Sequence, residues 1–173
     1  MRPSAAALVL AAAAALSGCG GGHASAPPHS AGSFTDGGVR VSVTLERTAA
    51  DEVRVTAALT PQTRGFHLYS LALPDGGIDG LGIPTRMSVS APLTATGPVS
   101  ASAEPYGLRP PGLDVTLPVY PDGPLTLRLT TRLDRSHGGS GARVVLSYGA
   151  CSATSGCRPP VRNHPLDLPV PGA

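Results

Sequence analysis

Residues 39–47, "VRVSVTLER", are the clearest indication of a β-sheet protein, because apolar and polar side chains alternate along them. A period of two is typical of a β-strand with one buried face and one solvated face. The predicted buried face contains Val39, Val41, Val43 and Leu45, and the opposite face contains Arg40, Ser42, Thr44 and Glu46. After the turn sequence "TAAD", residues 52–60, "EVRVTAALT", repeat the pattern and predict a second strand.

Strand-like segments recur along the rest of the chain, and no segment has a convincing amphipathic helical pattern. They are 65–70 "GFHLYS", 85–90 "TRMSVS", 113–119 "LDVTLPV", 124–133 "PLTLRLTTRL", 142–149 "ARVVLSYG" and 164–170 "HPLDLPV". In 113–119 we expect Leu113, Val115, Leu117 and Val119 to share the buried face, and Pro118 indicates an edge or a bulge. About eight short strands with turns between them favour an all-β, immunoglobulin-like antiparallel β-sandwich over residues 34–173.

The composition limits the core and the partners. The chain has 173 residues, 22 Gly, 19 Pro and no Trp, so the core must consist of Val, Leu and Ala. The formal net charge is only +2, and all thirteen basic residues are scattered arginines. Without a basic cluster there is no footprint for nucleic acid, so we expect no nucleic-acid partner.

The first residues, "MRPSAAALVLAAAAALSGC", have the organisation of a targeting segment. Arg2 precedes an apolar run over residues 5–16, which is too short to span a bilayer and fits a signal peptide over residues 1–18. Residues 16–19, "LSGC", resemble the bacterial lipobox, which implies lipidation of Cys19. We therefore expect a protein that is lipid-anchored to the extracytoplasmic face of the cell membrane, with a plain secretory signal as the alternative.

The residues after Cys19 read as a tether. The segment 20–33, "GGGHASAPPHSAGS", has no hydrophobic pattern, so residues 19–33 are predicted to be the lipidated cysteine and a flexible linker. His23 and His29 could bind a metal, but two histidines on a linker make a weak site.

Two further cysteines, Cys151 and Cys157, lie in "YGACSATSGCRPP", with five residues between them. Outside the cytoplasm such an isolated pair tends to form a disulfide. The spacing leaves three interpretations open: a redox-active pair, a structural staple, or a metal site completed by His67 and His164. Arg158 follows directly and would favour a thiolate at Cys157.

Several motifs, in order, resemble the N-terminal periplasmic domain of the thiol:disulfide interchange protein DsbD family. "LSYGACSATSGCRPP" with "HPLDLPV" resembles the end of that domain, including the spacing of the two cysteines. "GFHLYS", "DGLGIPTRMSV" and "AEPYG" are similar to segments that precede it in the family. The resemblance covers about residues 35–170 and implies an immunoglobulin-like sandwich.

The resemblance also implies a chemistry. Cys157 would be the sulfur that exchanges with partners, and Cys151 would resolve the mixed disulfide, with no cofactor required. The implied partners are thioredoxin-fold redox proteins. Because full-length family members continue into a membrane domain and a thioredoxin-like domain, we expect this chain to meet its membrane electron donor in trans.

Four other residues receive roles only from the resemblance. His67 and Tyr69 would lie beside the cysteine pair, and Glu104 and Tyr106 would belong to a cap loop that shields it. The sequence departs from the family pattern in this loop, because Pro105 occupies the position of an aromatic residue. His67 likewise stands where the family often has an aromatic residue.

A different class of function fits the same residues. The chain would then be a non-catalytic binding or assembly lipoprotein with a structural disulfide, or a module that binds Cu or Zn through reduced thiols. A redox pair should have a reduction potential of roughly −120 to −270 mV, whereas a structural disulfide should lie below about −300 mV.

Overall fold

The computed structural model describes residues 29–137 and 141–172 and is built from antiparallel β-strands. In these residues the strands are β1 His29–Asp36, β2 Val39–Ala49, β3 Glu52–Pro61, β4 His67–Leu68, β5 Arg86–Val89, β6 Leu93–Ala95, β7 Ser100–Ala101, β8 Tyr106–Leu108, β9 Leu117–Val119, β10 Leu125–Leu133, β11 Gly141–Tyr148, β12 Ala150–Ser152, β13 Gly156–Cys157 and β14 Val161–Pro169. One short 3-10 helix, Arg135–His137, follows β10. None of the helical structure in the described ranges is long and apolar enough to cross a membrane.

Two sheets pack against a common core and form the predicted sandwich. The larger sheet has the order β1-β2-β3-β10-β6, with β7 also paired to β10, and the second has the order β14-β11-β5. Val41, Leu59 and Leu127 of the first sheet and Val144 and Leu146 of the second belong to one buried cluster. The expected all-β, immunoglobulin-like antiparallel fold is therefore confirmed.

The register explains why the alternating segments form this core. Within the first sheet Val41 faces Leu59 and Leu45 faces Val55, so the apolar positions of β2 and β3 form continuous rows. A slip of one residue would turn every one of these side chains toward solvent, so the burial of one face fixes the register. All four predicted inward residues of β2 have no exposed surface.

The predicted linker extends too far. Residues 29–33 belong to β1, which pairs along β2 from His29 opposite Glu46 to Asp36 opposite Val39. The prediction missed them because an edge strand is held by backbone hydrogen bonds and needs little apolar pattern. Gly32 also has no side chain that could contribute to a pattern. Glycine is required there by packing, because a Cβ would lie 2.7 Å from Leu168 Cδ2. The signal peptide, Cys19 and His23 lie outside the described residues.

The strand predicted over 113–119 is shorter in the structure. Only its last three residues, Leu117–Val119, form a strand, which pairs with β8. Leu113 is 48% exposed, so its predicted place in the core is wrong. Its backbone lies in a turn, where the N–H of Leu113 donates to the carbonyl of Pro110 at 3.2 Å, and a turn does not keep the period-two alternation. Pro118 lies in this short two-stranded sheet, in line with the edge position that its missing N–H indicated.

Candidate functional site: a disulfide hairpin beside a buried tyrosine

The cysteine pair lies at a small sheet next to the sandwich. Its strand order is β13-β12-β4, and Cys151 faces Cys157 on one side and His67 on the other. A second hydrophobic cluster lies beneath it, formed by Tyr69, Leu73, Val115, Leu117, Val119 and Cys151. The site therefore has its own small core, separate from the main one.

Cys151 and Cys157 form a disulfide, as expected for an isolated pair, with Cα atoms 4.0 Å apart. The N–H of Arg158 donates to the carbonyl of Ala150 at 2.9 Å, which makes the two cysteines a non-hydrogen-bonded cross-strand pair. Side chains at such a pair lie closest, so the hairpin register itself brings the sulfurs together.

A tight loop closes the hairpin. Ser152 Oγ accepts hydrogen bonds from the N–H groups of Thr154 and Ser155, both at 3.3 Å. Gly156 has φ +71, a left-handed conformation that glycine adopts without a steric penalty. The loop residues are small and polar, and these backbone N–H groups find their hydrogen-bond acceptor within the loop. The loop is exposed and does not pack into the core.

The two sulfur-bearing residues differ in access to solvent. Cys151 is 7% exposed and belongs to the second core cluster, whereas Cys157 is exposed. Both line a pocket of about 150 Å³, together with Tyr69, Gly82, Ile83, Gly149, Arg158 and Pro160. A protein that approaches from solvent therefore meets Cys157 first.

Tyr69 reaches the buried sulfur. Its hydroxyl oxygen lies 3.3 Å from Cys151 Sγ, and the residue is only 7% exposed. A disulfide sulfur carries no proton, so the Tyr69 hydroxyl must be the donor of this hydrogen bond. Burial raises the pKa of Tyr69, so the hydroxyl keeps its proton at physiological pH.

His67 is the cross-strand neighbour of Cys151 and is 3% exposed. Its Nδ1 lies 3.3 Å from Asp122 Oδ1, and its ring meets the ring of Tyr69 edge to face at 6.1 Å. Its Nε2 is buried without a hydrogen-bond partner. The structure therefore brings His67 and Tyr69 together with the pair.

The two predicted cap residues, unlike His67 and Tyr69, do not lie beside the disulfide. Glu104 is exposed in the irregular stretch before β8, and Tyr106 is 45% exposed. Tyr106 pairs with Val119 of β9, and Val119 forms a β-bridge to Tyr69 on its other side. Strand β9 therefore lies between the cap segment and Tyr69. Neither Glu104 nor Tyr106 lines the pocket around the disulfide, and Cys157 remains exposed.

The side chain of Arg158, the residue after Cys157, contacts Phe66 and Thr63. Its guanidinium lies 5.0 Å from the centroid of the Phe66 ring, and Nη2 lies 3.4 Å from Thr63 Oγ1. The positive charge of Arg158 therefore lies over the Phe66 ring, while the residue also contributes to the wall of the pocket.

The metal site that the sequence left open, with Cys151 and Cys157 completed by His67 and His164, is not assembled in the described part of the chain, where no group of three or more His, Cys, Asp or Glu could hold an ion. His67 pairs with Asp122, as described above. His164 stacks on Phe34 at 3.7 Å, and its Nδ1 lies 3.4 Å from Asp36 Oδ2.

Some residues of the site gave no usable sequence signal. Gly82 and Gly149 flank the Tyr69 ring, and Asp122 comes from the turn before β10. The "DGLG" stretch marks Gly82 as part of a loop, but only the packing around it shows which side chain it contacts. No motif connects Asp122 with His67, because 55 residues separate them.

No protein-family model matches the chain, and no curated protein matches it. The N-terminal domain of DsbD from Neisseria meningitidis, in the reduced form, is a similar solved structure. It has 17% sequence identity and a TM-score of 0.44, and the match covers 84% of this chain and 86% of that chain. The GAE domain of yeast GGA1 is also similar, with 10% identity, a TM-score of 0.40, and coverage of 80% of this chain and 98% of that chain.

Proposed function

We propose that this chain is a thiol–disulfide exchange domain that passes reducing equivalents to thioredoxin-like partner proteins. One observation carries the proposal: the disulfide is asymmetric, with Cys157 exposed and Cys151 buried beneath it against Tyr69. An exchange protein needs one sulfur that a partner can reach and a second that is held close by to resolve the mixed disulfide. The motif resemblance to the DsbD N-terminal domain supports the class of partner.

The exchange would run through a mixed disulfide. In the reduced domain, the thiolate of Cys157 attacks a sulfur of the partner's disulfide, and the partner's other sulfur leaves as a thiolate. Cys151, as a thiolate, then attacks Cys157 Sγ, which reforms the intramolecular disulfide and releases the partner as a dithiol. Two electrons pass to the partner, and a membrane electron donor in trans would reduce the pair again by the reverse steps.

The site has the shape for protein partners rather than for a small substrate. The pocket at the disulfide is only about 150 Å³, below the usual range for small-molecule sites. The hairpin that carries Cys157 is exposed, so a thioredoxin-like protein could bring its own sulfur to it. The chemistry uses only the two sulfurs and requires no cofactor.

We further propose that the domain is held at the extracytoplasmic face of the membrane by a lipid on Cys19, as the "LSGC" sequence indicates. Fractionation of cells that express the full chain tests this. Wild-type protein should sediment with membranes, and Cys19→Ala should remove it from them. Equal membrane association of both proteins would contradict the anchor and leave the exchange chemistry untouched.

The exchange function is tested by the reduction potential of the pair and by trapping. We expect a potential of roughly −120 to −270 mV, in the range of thioredoxin-like proteins. Cys151→Ala should accumulate a mixed disulfide with an oxidised thioredoxin-like protein at Cys157, because no second sulfur resolves it. The matched control, Cys157→Ala, keeps only the buried sulfur and should trap far less.

Two outcomes would contradict the proposal. A potential below about −300 mV, with no trapped complex, would indicate a structural disulfide in a binding module. Stoichiometric binding of Cu or Zn by the reduced domain alone, without exchange, would indicate metal delivery.

A further inference from the structure

The two sulfurs of the pair are not equivalent as leaving groups, and Tyr69 is the reason. When a partner thiolate attacks Cys157 Sγ, the S–S bond breaks and Cys151 Sγ leaves with the electron pair. Cys151 is 7% exposed, and a thiolate in such a site is costly unless a donor stabilises it. The Tyr69 hydroxyl is that donor, 3.3 Å from the sulfur in the oxidised state.

The ring of Tyr69 is held in place on both edges by glycines. A Cβ at Gly82 would lie 2.9 Å from Tyr69 Cε1, and a Cβ at Gly149 would lie 3.1 Å from Tyr69 Cδ2. The backbone is fixed as well, since the Tyr69 carbonyl accepts a hydrogen bond from Thr85 Oγ1 at 2.6 Å. The hydroxyl therefore has its position before any charge appears on the sulfur, which is the condition for effective electrostatic stabilisation.

We propose that Tyr69 is a catalytic residue, whose hydroxyl stabilises the Cys151 thiolate and so directs partners to attack Cys157. This inference rests on the proposed exchange function, and it names the residue that makes Cys157 the sulfur that partners attack. A thiolate that is stabilised by a hydrogen bond is a better leaving group, and leaving-group quality sets the rate of exchange. Exposure and hydrogen bonding therefore select the same sulfur for attack.

The stabilisation acts in both directions of electron flow. In reduction of the domain, the partner's thiolate bonds to Cys157, and Cys151 leaves as a thiolate on the Tyr69 hydroxyl. In reduction of a partner, the same Cys151 thiolate attacks Cys157 Sγ and expels the partner's sulfur. Removal of the hydroxyl should slow reduction of the domain, in which Cys151 leaves, more than the reverse step, in which Cys151 attacks, because a stabilised thiolate is a better leaving group but a weaker nucleophile.

The test replaces the hydroxyl and keeps the ring, with Tyr69→Phe. A hydrogen bond to a charged group is strong enough that we expect reduction by dithiothreitol to slow by about tenfold to a hundredfold. Tyr148→Phe is the matched control, because Tyr148 is another buried tyrosine whose hydroxyl donates to the carbonyl of Asp36 at 3.1 Å. The control should leave the rate unchanged.

A second measurement separates chemistry from folding. With Cys157→Ala, the thiol pKa of Cys151 can be followed by thiolate absorbance, and addition of Tyr69→Phe should raise this pKa. Loss of packing alone would admit water and lower it.

The outcomes for Tyr69 and for the exchange function are distinct. If the wild-type domain reduces thioredoxin-like proteins and Tyr69→Phe does so at the same rate with the same thiol pKa, the role of Tyr69 is refuted alone. If the wild-type domain ignores such proteins while Tyr69→Phe still slows reduction by dithiothreitol and raises the pKa, the relay fails and the role of Tyr69 stands.

Discussion

Gly82 and Gly149 form a clamp on the two edges of the Tyr69 ring. From this packing we predict the effect of Gly82→Ala on stability. Gly82 has φ +84, so any residue with a Cβ is strained there by about 1–2 kcal/mol. The new Cβ would also lie 2.8 Å from Leu73 Cδ2 and 2.9 Å from Tyr69 Cε1, and such overpacking costs about 1–3 kcal/mol more. We expect a loss of about 2–5 kcal/mol in the free energy of unfolding.

Gly80→Ala is the matched control, because Gly80 lies two residues away with φ +75 and no heavy atom within 4 Å of its Cβ position. It should lose only the conformational part, about 1–2 kcal/mol. The difference between the two variants therefore isolates the contact with Tyr69 and Leu73. Both variants also share the lower entropy of the unfolded chain, which cancels in the comparison.

Urea denaturation followed by far-ultraviolet circular dichroism measures both free energies, since the chain has no Trp for fluorescence. The disulfide should be kept intact in all samples. Equal losses for Gly80→Ala and Gly82→Ala would refute the argument that Gly82 is required by close packing on Tyr69. A larger loss at Gly82, with slower reduction by dithiothreitol, would show that the clamp positions the hydroxyl.

Two further predictions concern charged or titratable side chains. His67→Phe should leave stability unchanged or raise it by up to about 1 kcal/mol in urea denaturation, because it removes a buried nitrogen that has no partner and keeps an aromatic edge toward Tyr69. A loss above about 2 kcal/mol would mean that the contact between His67 and Asp122 outweighs that penalty. The Arg143 guanidinium, 2.8 Å from Asp167, lowers the pKa of this carboxyl below 3.8. The pair's stabilisation should therefore be complete above about pH 4 and fall as the pH drops through the lowered pKa, and Asp167→Asn should remove this part of the pH dependence of the unfolding free energy.

The main sandwich could be predicted because local chemistry and tertiary burial agree along its strands. Along β3 and β11, and along β2 and β10 except at Arg47 and Thr131, every second side chain is apolar, and each of these strands has one face in the core. The short strands could not be predicted in the same way. β6 and β7 have three and two residues and pair with β10, too few for an alternation to be visible in the sequence.

The alternating strands, the cysteine spacing and the chemistry open to two nearby sulfurs could be predicted from the sequence, because each depends on residues close together along the chain. Which sulfur is buried depends on tertiary packing, since Cys151 packs against Tyr69 from 82 residues earlier. Tertiary packing also places Asp122 at His67 and glycines on either edge of the Tyr69 ring. These contacts join distant segments, and their geometry depends on how the sheets pack, which no local pattern encodes.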